Sequence, residues 1–307
     1  MVRDSLTPFI KSLRSQIWLR QLRLPFGICS LIFLIWLGLF LVDDSEVNQS
    51  ERRRHLANYL EKIHKSSIRN RVDLSQPASP MPPRAISWSS PLRKQCTGLD
   101  RKLRAELKSR DELLKTERKT IQINTSNFGK RHDWDIYGRR IDGSPSLIIL
   151  HETSESLQSA LYTFKDYHPK DEEQVSYHTM ISLDGKVVDL VKPHLRAYGA
   201  GNSAFLGKWA VTNPRLTGSV NNFALHLSLE TPWDGRHHGP SHSGYTQVQY
   251  DALALVLSGW MKRFDIPPEN ITTHQHVDLA GERSDPRSFS WPKLQSRLAA
   301  LEHLCIP

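Results

Sequence analysis

The sequence predicts a single α/β domain preceded by a membrane-spanning helix and a stalk. Three observations carry this reading. Short apolar, β-branched runs alternate with longer amphipathic segments from about residue 121 to the end, the pattern of strands interleaved with helices. One apolar run stands apart near the N-terminus, at residues 25–42. Between the two lies a basic, proline-containing stretch with no strand signal, at 43–120.

The chain has 307 residues and a formal net charge of +9, and the charge is unevenly placed. Residues 1–42 carry five Lys/Arg against one acid, residues 43–120 carry 18 against 11, and residues 121–307 carry 18 against 20. The basic excess therefore lies outside the predicted globular domain. A nucleic-acid-binding domain places a basic face on its folded part, and no helix-turn-helix or RNA-binding signature is present, so nucleic acid is set aside as a partner.

The run PFGICSLIFLIWLGLFLV, residues 25–42, has 18 residues, near the lower limit for crossing a bilayer. Arg14, Arg20 and Arg23 precede it, and Asp43 and Asp44 follow. Positive-inside bias leaves residues 1–24 as a cytoplasmic basic tail and exports everything after the span. A cleaved signal peptide is the competing reading, but the apolar run is long and no A-x-A site follows it. The chain is thus expected to be membrane-anchored, with its domain on the periplasmic or cell-wall side.

Residues 43–120 read as a stalk. Pro77, Pro80, Pro82, Pro83 and Pro91 interrupt helix formation. Leu99, Leu103 and Leu107 recur at helical spacing in a highly charged stretch, which predicts a solvated spacer helix with a narrow apolar seam. Its basic charge also suits contact with anionic lipid or wall polymer.

In the globular part, Leu147–Leu150, Val175–Leu183, Lys186–Val191, Phe223–Leu229 and Ile271–Thr273 are strand candidates. Asp184–Gly185 is a turn dipeptide linking the second and third as a hairpin. Ser156–Tyr167, Thr246–Phe264 and Trp291–Leu304 are helix candidates. In the second of these, Tyr250, Leu253, Leu257 and Trp260 share one face. Pro292 sits at a tolerated early position of the third.

Two strands end in histidine: His151 closes the run SLIILH, and His274 follows Ile271–Thr273. Asp285 lies in a Gly-containing loop beyond His274. Two imidazoles and a carboxylate are a suitable ligand set for zinc, leaving a fourth position open to water. Each histidine taken alone fits a structural role better; the combination points to a metal. His276 shares the side of His274 if the segment stays extended, so it is the alternative to His274, the histidine preferred as ligand. His237, His238 and His242 lie in a Gly/Pro/Ser-rich loop and read as solvated. Cys96 and Cys305 would both be exported, where a disulfide is permitted, and the sequence leaves their pairing open. No C-x-x-C or H-E-x-x-H motif is present.

The segments IILHET (148–153), VSYHTMISLDGKVVDLV (175–191), RAYGAGNS (196–203), NNFALHLSLE (221–230) and THQHVDLAGERSDP (273–286) jointly resemble the zinc-dependent N-acetylmuramoyl-L-alanine amidases of the type 2 amidase and peptidoglycan recognition protein superfamily. The resemblance covers most of residues 145–290 and leaves the first 120 uncovered. It implies a mixed central sheet flanked by helices, a Zn2+ cofactor at one end of that sheet, and hydrolysis of the amide between N-acetylmuramic acid and L-alanine in peptidoglycan or muropeptides. It also implies the alternative of a membrane-tethered, non-catalytic muropeptide-binding protein, since superfamily members lacking a ligand bind without cleaving. The presence of Asp285 favours the enzyme. Tyr177 stands where the family places an oxyanion donor, and Arg283 where it commonly places a lysine. Arginine stabilises charge but is a poor proton shuttle, so Glu230 becomes the nearest candidate acid, with a capping or salt-bridge role equally open to it. Some relatives carry the acid two residues earlier, at Ser228 here. Gly199 stands where many carry histidine.

Overall fold

Strand β3, Leu147–Glu152, is buried at all six positions and forms the axis of the domain. A near-continuous apolar run of this length suits a strand covered on both faces. It pairs in parallel with β7, Ala224–Leu229, on one side and with β8, Ile271–Thr273, on the other. β4, Thr179–Ile181, runs parallel to β7, and β5, Val187–Asp189, runs antiparallel to β4. β1, Lys119–Thr120, closes the edge parallel to β5. The strand order is β1-β5-β4-β7-β3-β8, a mixed sheet as expected. A two-stranded antiparallel ribbon of β2, Phe128–Lys130, and β6, Leu195–Ala197, lies apart from it.

The computed structural model describes residues 87–236 and 239–305. The expected cytoplasmic tail, the apolar run 25–42, the stalk up to residue 86, and His237 and His238 lie outside the described residues. Among the described residues no helix is long and apolar enough to cross a membrane.

Helices cover both faces. On one, α3, Gln247–Phe264, buries Tyr250, Leu253, Leu257 and Trp260 as its periodicity predicts. It packs with α5, Trp291–Ala300, over Ile148, Leu150, Leu225, Leu227 and Leu229. Thr246 starts α3 with a full capping box closed by Gln249, satisfying two of the helix's free N–H groups. On the other face α2, Leu157–Lys165, sets Leu161 and Phe164 against Met180 and Val188. Asp184–Gly185 makes the expected turn, with Gly185 at φ 77°, a conformation glycine adopts without strain. β4 is shorter than its sequence candidate: ahead of it Ser176 N–H donates to Tyr198 O, outside the sheet.

The helix assigned to the stalk behaves differently from expectation. α1, Arg101–Glu117, is no solvated spacer: Leu107 and Leu114 are buried, and it packs on α3 and α5. The chain just before it is fastened as well. Trp88 Nε1 donates to Glu269 O at 2.7 Å, Gln95 N–H donates to Leu304 O, and Cys96 and Cys305 form a disulfide. The expected seam was narrow because its partner surface, α3 and α5, is 130 or more residues away in sequence and leaves no local trace. Leu107→Ala is expected to destabilise the protein by about 2–4 kcal/mol, as a deleted core leucine does. Urea denaturation checks this; a change within about 0.5 kcal/mol, the range of an exposed position, would return α1 to the stalk.

Candidate metal centre

The C-terminal ends of the parallel strands converge at one point. β3 delivers His151 there, fully buried. β8 ends at Thr273, and the chain turns at once into a one-turn helix, α4, His274–Val277. Asp278 caps that turn and holds the following loop, accepting from the backbone N–H groups of Ala280, Glu282 and Arg283. The loop returns Asp285 to the strand ends. Its carboxylate Oδ2 lies 3.2 Å from His151 Nδ1 and 3.2 Å from His274 Nδ1.

The ligand atoms of His151, His274 and Asp285 all lie within 4.8 Å of one another. The 3.2 Å separations are close to the edge of about 3.3 Å expected of a tetrahedron with bonds near 2.0 Å. Two imidazole nitrogens and one carboxylate oxygen facing a common point fit a divalent metal of the zinc type. Burial pushes His151 down to about 4, so it is neutral near pH 7 as a ligand must be. Burial alone would raise Asp285, but the contacts with His151 and His274 outweigh it and hold the carboxyl below its ordinary range.

The helical turn at 274–277 sends the two histidines in different directions. Because the segment is not extended, His276 does not share the side of His274. Its ring packs on Trp88, with centroids 4.3 Å apart, and lines a separate cleft with Trp291 and Phe289.

A cavity of about 230 Å3 opens over the cluster, lined among others by Glu152, Tyr177, His274, Arg283, Asp285 and Arg287. Tyr177 sits beside His151, ring centroids 4.6 Å apart. Burial, reinforced by the charge of Asp285, raises its phenol pKa, so it stays a protonated donor. Glu230 does not line this cavity. Its carboxylate accepts from Leu157 N–H at the start of α2 and from Leu183 N–H, and it pairs with Arg236. The capping role is the one realised.

Two residues near the cluster escaped the sequence reading. Glu152 follows His151 on β3 and points to the opposite face, where it accepts from Tyr245 Oη at 2.5 Å, bonds His242 Nε2 at 2.9 Å and pairs with Arg287. Arg287 reaches on to the carbonyls of Gly235 and Gly239. His242 is therefore not solvated: its side chain is fully buried against Glu152. A charged residue ending an apolar strand was the available signal. The other is His226 on β7, whose Nδ1 lies 2.9 Å from His151 Nε2.

Residues 141–288 match the sequence profile of the N-acetylmuramoyl-L-alanine amidase family. This segment is a domain of that amidase family. The 1,6-anhydro-N-acetylmuramyl-L-alanine amidase AmpD of Salmonella typhimurium is 28% identical over 177 residues, spanning 53% of this chain and 85% of the relative. AmpD of Citrobacter freundii is 28% identical over 178 residues with the same coverage. A crystal structure of a selenomethionine derivative of AmpD aligns with 23% identity and a TM-score of 0.45, over 59% of this chain and 94% of that one. The amidase family is catalytic, and the cavity over the three candidate ligands gathers Glu152, Tyr177, Arg283 and Arg287 around them.

Buried neutral histidines make the metal-free protein acid-sensitive. Burial also lowers His178 from 6.5 to about 3, while its Nδ1 accepts from His226 N–H. A lowered folded-state value means that the unfolded chain binds more protons between about pH 6.5 and 3, so stability present above 6.5 is lost as pH falls. With His151 behaving alike, the loss should be roughly 1–3 kcal/mol per pH unit near pH 5.5. Urea titrations in chelator at pH 7.0, 6.0 and 5.0 measure it; a flat profile would contradict the burial of neutral imidazoles.

Proposed function

We propose that the domain is a zinc-dependent peptidoglycan amidase that cleaves the bond between N-acetylmuramic acid and L-alanine. The observation that carries this reading is the convergence of His151, His274 and Asp285 beneath an open cavity, within the segment that matches the amidase family. A third ligand in place favours hydrolysis over the binding-only alternative. Bound zinc supplies Lewis acidity toward the amide carbonyl and a water made nucleophilic near neutral pH.

The chain's own residues divide the remaining work. Asp285 keeps its charge and neutralises part of the cation. Tyr177 Oη–H, held protonated by burial, is a donor for the oxyanion that develops on the carbonyl. Arg283 borders the same cavity on a loop whose backbone is fixed by Asp278, and its guanidinium adds permanent positive charge there. Glu152, bonded to Tyr245, His242 and paired with Arg287, holds the cavity wall in shape. The named relatives act on anhydro-muramyl substrates; peptidoglycan and soluble muropeptides are both substrates under this reading.

Zinc content and hydrolysis should be measured on the same samples, the products of purified peptidoglycan being read by mass spectrometry. His274→Ala is expected to lose zinc and activity, and His276→Ala to keep both. Arg283→Ala should keep zinc while kcat falls about 10²- to 10³-fold, as when an oxyanion donor is removed. An Arg283→Ala enzyme of unchanged kcat would leave that arginine a surface role, and zinc retained in His274→Ala but lost in His276→Ala would reverse the ligand choice.

The proposal includes a tether. The run at 25–42, with arginines before it and aspartates after it, supports an anchored protein whose amidase domain is exported, where wall polymer is the accessible substrate. A phosphatase reporter joined after residue 74 should be active outside the cytoplasm; activity confined to the cytoplasm would refute the topology.

A further inference from the structure

His226 is fully buried on β7, two residues before Ser228. In register it lies beside Ile149, and Ser228 beside His151, so its side chain shares the face of His151. Its Nδ1 is 2.9 Å from His151 Nε2. Its Nε2 is buried with no hydrogen-bond partner among the described residues. The ring occupies space that opens only because residue 199 is glycine: a Cβ there would lie 2.4 Å from His226 Nδ1 and 2.5 Å from its Cγ.

An imidazole with one unpaired nitrogen is an unfavourable filling for a dry site, since a leucine of similar volume leaves no polar atom unmet. What histidine offers in its place is one contact, the bond to His151. The direction of that bond follows from the other side of the ligand ring. His151 Nδ1 faces Asp285 and the candidate metal position, and a ligating nitrogen carries no proton. The proton of His151 is then on Nε2 and is donated to His226 Nδ1, leaving the proton of His226 on its own Nε2.

We propose that His226 is a positioning residue for the metal: by accepting the Nε2–H of His151 it holds that ring, in the tautomer with Nδ1 bare, toward His274 and Asp285. The inference rests on the zinc reading above. An outer partner of this kind, usually a carboxylate or carbonyl, typically sets metal affinity by 10- to 100-fold; here a second imidazole fills the role, and Gly199 makes room for it.

The test separates positioning from packing by using two variants of nearly equal size. In His226→Asn the side-chain oxygen can stand near the place of Nδ1 and accept the bond; His226→Leu has no acceptor. Zinc dissociation constants for the full-length wild type and both variants are measured by competition with a chromophoric chelator, and thermal unfolding is measured on the metal-free forms. We expect His226→Leu to bind zinc about 10- to 100-fold more weakly while unfolding at or above the wild-type temperature, and His226→Asn to bind within a few-fold of wild type. Equal affinity in His226→Leu and wild type would overturn the proposal, as would equal weakening in both variants. A wild type that binds no zinc would instead remove the zinc reading itself. Nitrogen-15 NMR of the zinc-loaded wild type gives a second decision independent of variant folding: the proton of His226 is expected on Nε2, and finding it on Nδ1 would contradict the inference.

Discussion

A strand buried on both faces cannot end in polar residues unless each is met on its own side. β3 ends in two, His151 and Glu152, on opposite faces of the sheet. The rest of the centre is the answer to that demand. His151 is met by His226 from β7 and by Asp285 from the loop after α4. Glu152 is met by Tyr245, His242 and Arg287. The same two-residue ending thus draws three distant segments to the strand tips and sets the cavity between them.

The loop that carries Asp285 is organised by a second carboxylate. Asp278 gathers three backbone N–H groups, which turns the chain so that Arg283 and Asp285 face the cavity. Arg287, two residues on, anchors the loop to Glu152 and to the carbonyls of Gly235 and Gly239. Charge, candidate ligand and anchor follow one another at alternate positions, 283, 285 and 287, so a change at Arg287 would reach Asp285 through the backbone without touching it.

Much of this was legible in the sequence where the signal is local. Apolar runs ending in histidine marked β3 and β8, the face of Tyr250, Leu253, Leu257 and Trp260 marked α3, and the Asp184–Gly185 turn marked the β4–β5 hairpin. The convergence of His151, His274 and Asp285 followed from the family resemblance together with the two histidines at strand ends and the aspartate in the loop beyond. What failed depended on partners remote in sequence. Leu107 looked like part of a thin solvated seam because α3 and α5, which cover it, come so much later. Glu230 had the right charge near the right strand, but two N–H groups from separate segments claim its oxygens. His242 sat among turn residues and read as solvated until Glu152 met it. The relation of His226 to Gly199 is invisible in either motif alone, since it consists of one residue's ring using the side-chain space the other lacks.

The account stands on zinc lying between β3 and the loop after α4. Anomalous scattering measured on both sides of the zinc absorption edge, from crystals of the protein grown with zinc, tests this most directly. The account predicts one strong site bounded by His151 Nδ1, His274 Nδ1 and the Asp285 carboxylate. A site at His276 in the Trp88 cleft, or no site at the strand tips, would contradict it.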